Sequence, residues 1–325
     1  MASSSSWKVP SAEQPKPQDY TYDLDRALSS VVGLRAIVPP DAFTAETLGT
    51  ERAGHGVLIR NDGLVLTIGY LVTEAQTIWI TLIDGNAVPG HVLAYDQATG
   101  FGLVQALARL ELPALTLGDS SSVQVGDRVV LGGAGGRHRS VAARVSAKQE
   151  FAGYWEYVLD EAIFTAPAHP NWGGTALIGA RGDLLGVGSL QVQQAREGGL
   201  SENLNMVVPI DLLKPILNDL LTLGRSNRPP RPWLGLYATE IDDRLVVAGL
   251  ADRGPAQRAD LRTGDIVLAV GGAHVQDLAD MFRRVWSLGQ AGVEVPLTIY
   301  RDGETLDLRV PSADRSRFMK TPSLH

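Results

Sequence analysis

The chain has 325 residues, a formal net charge of −7, 35 glycines, six histidines and no cysteine. That length suits two domains, each able to bury a core, and the absence of cysteine excludes disulfide scaffolds, thiolate nucleophiles and Cys-ligated zinc or iron–sulfur sites. The balance of 29 Lys and Arg against 36 Asp and Glu excludes a general nucleic-acid backbone binder, because counterion release needs a dense cationic face.

Residues 1–22 are rich in Ser, Pro, Gln and Lys and read as a disordered leader. They hold no apolar run of the export-signal type, and no later stretch approaches the roughly 18 apolar residues of a membrane span. As written, the chain therefore reads as soluble and cytoplasmic, or periplasmic where an export signal has been removed. Residues 23–224 follow as short apolar runs broken by Gly, Asp and Asn. Gly56–Ile59 and Leu64–Thr67 flank a hairpin turn at Arg60 to Gly63, Ile78–Ile83 leads through Asp84-Gly85-Asn86 to Pro89–Leu93, and Thr175–Ile178 turns back to Leu184–Val187. This even spacing of short strands predicts β-barrels rather than βαβ units. A helix capped by Asp211 and stopped by Gly224 closes the region, with Leu213, Ile216, Leu217, Leu220 and Leu221 at helical spacing.

Residues 225–232 form a Pro- and Arg-rich linker, and its arginines read as a solvated spacer. Residues 233–312 form a small α+β module with strands at Leu245–Val247, Ile266–Val270, Val293–Tyr300 and Thr305–Val310. A helix over about 275–288 carries Leu278, Met281, Phe282, Val285 and Leu288 on one broad face. Residues 313–325 read as a flexible tail.

The order of these pieces resembles the HtrA (Deg) family, a trypsin-fold protease domain followed by PDZ domains. The resemblance rests on Gly54-His55-Gly56-Val57-Leu58-Ile59, Asp62-Gly63-Leu64-Val65-Leu66-Thr67, Leu117-Gly118-Asp119-Ser120, Val125-Gly126-Asp127 and Asn171-Trp172-Gly173-Gly174. The second module adds Arg231-Pro232-Trp233-Leu234-Gly235-Leu236, Gly254-Pro255-Ala256 and Leu261-Arg262-Thr263-Gly264-Asp265-Ile266. It implies a mainly β fold, a trypsin-like double β-barrel followed by a small α+β PDZ domain.

The family's catalytic positions are occupied differently here. Where the resemblance calls for the histidine of Asn-x-His-Val, this chain has Tyr70, and a phenol cannot do imidazole's work at neutral pH. Gly100 stands at the aspartate position, Trp172 at the nucleophile, and Pro170, which has no N–H, at one oxyanion donor. Losing a nucleophile or base costs roughly 10⁶ in kcat, so the expectation from these positions is a non-catalytic pseudoprotease with no catalytic residue, no metal and no cofactor.

The function expected on that basis is an adaptor, scaffold or chaperone-like holdase that binds protein C-termini or exposed apolar segments. In the family, the loop at Trp233, Leu234, Gly235 and Leu236 offers backbone N–H groups to a terminal carboxylate. The peptide would lie between the following strand and the helix bearing Leu278, Met281 and Phe282. Two alternatives stay open: a serine endopeptidase with a relocated triad, using His169 with Ser189 or Ser201, and an architectural subunit that assembles with an active HtrA paralogue. His55 reads as a structural turn residue. The resemblance also implies a possible homo-oligomer, a trimer formed through N-terminal segments of the first domain.

Overall fold

The computed structural model of the chain describes residues 7–195 and 201–320. The chain divides into two compact units, the first holding 1–149 and 161–227, the second 150–160 and 228–320.

Two closed barrels are built on the first unit, except that the residues of the second barrel's strands between 150 and 160 are counted with the second unit. The strands of one are β1 (Val31–Ile37), β2 (Glu51–Arg60), β3 (Leu64–Ile68), β4 (Thr77–Thr81), β5 (Ala87–Tyr95) and β6 (Phe101–Ala106), in the order β1-β2-β3-β6-β5-β4. Alternation decides which way they face: in β4, Ile78 and Ile80 are buried while Trp79 between them is exposed. β3 is buried at every position. The other barrel takes β7 (Arg128–Gly132), β8 (Val141–Gly153), β9 (Tyr157–Ala166), β10 (Ala176–Ile178), β11 (Leu184–Ala195) and β12 (Ser201–Pro209). Short helices α1 (Leu24–Ser29) and α2 (Ala45–Leu48) flank β1, and the Asp23 carboxylate caps α1 by accepting from the Arg26 N–H.

Three segments depart from the sequence expectation. The helix predicted from Asp211 begins only at α3 (Leu217–Leu223), after a 3₁₀ turn at Ile210–Leu212. Pro215 explains the delay: it has no N–H to return to the Asp211 carbonyl, so a helix cannot run through. Gly224 ends α3 in the left-handed conformation. The leader is ordered from residue 7 onward. Val9 is buried and its N–H donates to the His138 carbonyl at 2.8 Å, the Glu13 carbonyl accepts from Ala142 at 2.7 Å, and Trp7 packs on the core of the second barrel. Residues 313–320 are also ordered: Ala313 pairs with Trp233, and the Phe318 ring lies 4.8 Å from the Trp233 ring. The rest of the predicted leader and tail lies outside the described residues.

The second unit is built on a sheet ordered β13 (Leu236–Ile241), β14 (Arg244–Leu250), β15 (Ile266–Val270), β17 (Glu294–Arg301), β18 (Glu304–Pro311), with β16 (Ala273–His274) paired to β15. One-turn α4 (Pro255–Arg258) and the longer α5 (Leu278–Ser287) cover it. Met281, Phe282 and Val285 of α5 meet Leu236, Ala238 and Val247 of the sheet in one core. The Asp277 side chain caps α5 by accepting from the Asp280 N–H at 2.7 Å. Asp277→Ala is expected to lower the stability of this unit by about 1 kcal/mol, read as a shift in its thermal unfolding.

Candidate functional site

Two places in the chain bear on function, one in each unit. In the first unit, Tyr70 lies on the 3₁₀ turn Gly69–Leu71 that follows β3. Its hydroxyl donates to the Ser189 carbonyl at 2.8 Å, and burial raises its pKa, so it stays a neutral phenol. Arg52 fixes this turn from beneath, donating to the carbonyls of Tyr70 at 2.8 Å and Thr73 at 3.0 Å.

Gly100 has φ +82, its N–H donates to the Asp96 carbonyl at 2.8 Å and its carbonyl accepts from Gly69 at 2.6 Å. Glycine there serves a turn that tethers the Tyr70 segment, and it brings no carboxylate. The Trp172 carbonyl accepts from the Thr175 N–H and hydroxyl, closing the turn over Asn171 to Gly174. Gly174, with φ +80, leaves only 1.8 Å between a would-be Cβ and the His55 carbonyl oxygen, so no other residue fits. The Tyr70 hydroxyl lies 2.7 Å from where a Cβ on Gly173 would stand. Phenol, indole and bare backbone thus occupy the Tyr70, Trp172 and Gly100 positions, and Pro170 adds no donor.

Of the two histidines near this turn, His169 has both ring nitrogens engaged, whereas the buried Nε2 of His55 has no hydrogen-bond partner among the described residues. His169 is fully buried; its Nδ1 accepts from the Asn171 N–H at 3.1 Å and its Nε2 sits 2.8 Å from the Arg139 carbonyl. A neutral ring with both nitrogens engaged cannot also take a serine proton, so the predicted pairing of His169 with Ser189 or Ser201 is not formed. His55 lies on β2 rather than in a turn, its Nδ1 accepts from the Ala134 N–H at 3.1 Å, and its ring is 5.6 Å from that of His169. Burial, reinforced by His169, pushes its pKa down to about 3, so it stays neutral. Beside Pro170 a cavity of about 600 Å³ is lined by Pro167, Ala168, Gln191, Ser201 and the two acidic residues Glu13 and Glu202.

In the second unit, the backbone N–H groups of Leu234, Gly235 and Leu236 converge on one point. The point is filled: all three donate to the carboxylate of Glu156, at 3.1, 2.7 and 3.1 Å. Gly235 reaches this geometry with φ +71. Trp233 is buried just before the loop, and Leu278, Met281 and Phe282 all lie in the core, with Ala152 packed against the same cluster. Burial pushes the Glu156 carboxyl up to about 7, against the opposing pull of the three amides and of Arg315. Sequence reasoning missed Glu156, since nothing local in Gly153-Tyr154-Trp155-Glu156 signals a partner some eighty residues away.

Fold and matches agree on the class of protein. Residues 54–187 match the trypsin-like peptidase domain and residues 232–311 the PDZ domain. The chain joins a trypsin-like peptidase domain to a C-terminal PDZ domain, and its homologues are DegP- and HtrA-type serine endoproteases. A probable periplasmic serine endoprotease DegP-like of Pseudomonas putida (strain W619) is 30% identical over 278 residues, 80% of this chain and 55% of that protein. The putative serine protease HhoA of Synechocystis is 29% identical over 290 residues, 80% of this chain and 70% of that protein. The chain spans little more than half the length of the DegP-like relatives it matches. Among solved structures, the HtrA-type protease AlgW with decapeptide has the same fold at TM-score 0.53 and 20% identity, covering 92% of this chain and 98% of that one.

These relatives correct two expectations. Proteins named as serine endoproteases along four-fifths of this chain overturn the reading of a non-catalytic adaptor, scaffold or holdase. Tyr70, Gly100 and Trp172 state what three positions lack, and they carry no information about the other serines. The cytoplasmic expectation has no support, since the DegP-like relatives are named periplasmic.

Proposed function

We propose that the chain acts in the endoproteolysis of polypeptides, in the periplasmic setting its relatives' names give, with its PDZ unit recognising peptide chain ends. The observation that carries the recognition half is the convergence of the Leu234, Gly235 and Leu236 amides on a carboxylate, which is the chemistry needed to hold a C-terminus. Kinship to named serine endoproteases supports the hydrolytic half.

A hydrolytic step in this chain has to use a serine outside the turn around Trp172. Ser201 is the hydroxyl on the wall of the cavity beside Pro170, where Glu13 and Glu202 bring carboxylates, so it is the first residue to test. Incubated with casein and a fluorophosphonate probe, the purified chain is expected to cleave and to be labelled on one serine, with both signals lost in Ser201→Ala. Labelling that survives Ser201→Ala moves the nucleophile to the serine found by mass spectrometry. No labelling and no turnover together overturn the hydrolytic half and leave the recognition half to be judged by peptide binding.

A further inference from the structure

The cradle that would receive a chain end already holds a carboxylate from within its own unit. Three features show that the segment 150–160 is seated as a peptide would be. The Glu156 carboxylate takes all three cradle amides while only 6% of its surface is exposed. Two residues earlier, the Tyr154 carbonyl accepts from the Ala238 N–H of β13 at 3.2 Å, a backbone bond of the kind an added strand makes. At the segment's two ends, Glu150 and Asp160 both pair with Arg283 of α5, each at 2.5 Å.

The local chain is shaped for this seat. Glu156 itself has φ +61, in the left-handed region that a non-glycine residue adopts only at a cost. Gly153 leaves room for the Trp155 ring, whose atoms would lie 2.7 Å from a Cβ there. Trp155 stacks on Tyr157 at 5.6 Å, and Tyr154 meets Tyr237 of β13 edge-on at 6.0 Å. Seated, the segment gains the charge-assisted nest on one side and aromatic contacts on the other at the cost of that backbone strain.

We propose that Glu156 is a built-in carboxylate ligand, and that the segment 150–160 is an autoinhibitory latch that keeps the cradle closed to polypeptide C-termini until it withdraws. The proposal rests on the reading of the cradle as a chain-end site and names its regulation. A carboxylate in the same unit competes at high effective concentration, so an incoming chain end binds with an apparent affinity reduced by the fraction of molecules in which the latch is open.

The test uses the full chain, a fluorescein-labelled hexapeptide ending in Leu-Val with a free carboxylate, and the same peptide amidated at its C-terminus. Fluorescence anisotropy gives affinity for the unaltered protein, Glu156→Ala and Arg283→Ala, the last loosening the latch without touching the cradle. Hydrogen exchange at Leu234, Gly235 and Leu236 reads the seat directly, without any peptide. The expected result is faster exchange at these amides in Glu156→Ala, with the free-carboxylate peptide bound at least about tenfold more tightly, a smaller gain in Arg283→Ala, and no gain for the amidated peptide. Equal amide protection with and without the Glu156 carboxylate overturns the latch alone. Amides that lose protection while no peptide binds overturn the chain-end reading, and the latch falls with it.

Discussion

Glu74→Ala is expected to destabilise the first unit by about 3–5 kcal/mol, because it strips the counter-charge from a buried arginine. Arg52 and Glu74 are each 5% exposed. They meet through Thr44, whose hydroxyl donates to Glu74 Oε2 at 2.6 Å and accepts from Arg52 at 2.8 Å. Glu74 also accepts the N–H groups of Phe43 and Thr44, at 3.0 and 2.7 Å, so the carboxylate is well satisfied. Burial lowers the pKa of Arg52 and Glu74 opposes that shift, so a neutral residue at 74 leaves a costly cation in place. The loss corresponds to roughly 10 °C in the unfolding midpoint of a unit this size. Glu74→Gln, which keeps the side-chain length and one of the two acceptor oxygens, is expected to lose less. Arg52 holds the Tyr70 and Thr73 carbonyls, so hydrogen exchange should rise first around the turn at Gly69–Leu71. The second unit should unfold where it did before, and a shift there would contradict this account.

The parts of this molecule that the sequence makes readable are those whose cause is local. Gly63 at φ +90 and Gly85 at φ +87 sit in the hairpin turns that their Asn-Asp-Gly and Asp-Gly-Asn stretches announce, and the strands follow on either side. Asp277 and Leu278 begin α5 for a reason that lies within four residues. Errors arise where a distant partner decides. Trp7 and Val9 look like a polar leader's stray apolar residues until the second barrel supplies a surface and His138 a carbonyl. The Asp211 helix failed for a local reason that was visible and outweighed by periodicity, namely Pro215.

The candidate sites divide in the same way. Tyr70, Gly100 and Trp172 are found from short motifs, and the structure places there a half-buried phenol, a turn glycine and a turn tryptophan. Motif positions, however, report only what a place holds, and the conclusion that no activity remains went beyond them. At the other site the family resemblance pointed to the loop from Trp233 to Leu236, and nothing in the sequence pointed to the carboxylate that its amides hold. Glu156 is 78 to 80 residues from the amides it accepts, and no periodicity or composition links the two.

The state of Glu156 gives the latch a pH dependence whose sign follows from its burial. Seated, the carboxyl has its pKa pushed up to about 7; released into water it returns to its ordinary value near 4.5. The seated form therefore binds a proton more tightly than the released form, so the contribution of Glu156 to the latch is fully present below about pH 4.5 and is lost as pH rises through about 7. Between about pH 5.5 and pH 8 the opening equilibrium should move by about 25-fold toward release. A peptide's terminal carboxylate, with a pKa of about 3.5, is ionised across that whole range and adds no slope of its own. The free-carboxylate peptide should thus bind about 25-fold more tightly at the upper pH while the latch dominates, and Glu156→Gln should flatten the profile. Arg315 is the charged group whose field favours the ionised seated form, so Arg315→Ala should steepen it. Tighter peptide binding in acid would reverse the argument: it would mean that the Leu234, Gly235 and Leu236 amides stabilise the seated anion by more than burial disfavours it, so that protonation, not ionisation, releases the latch.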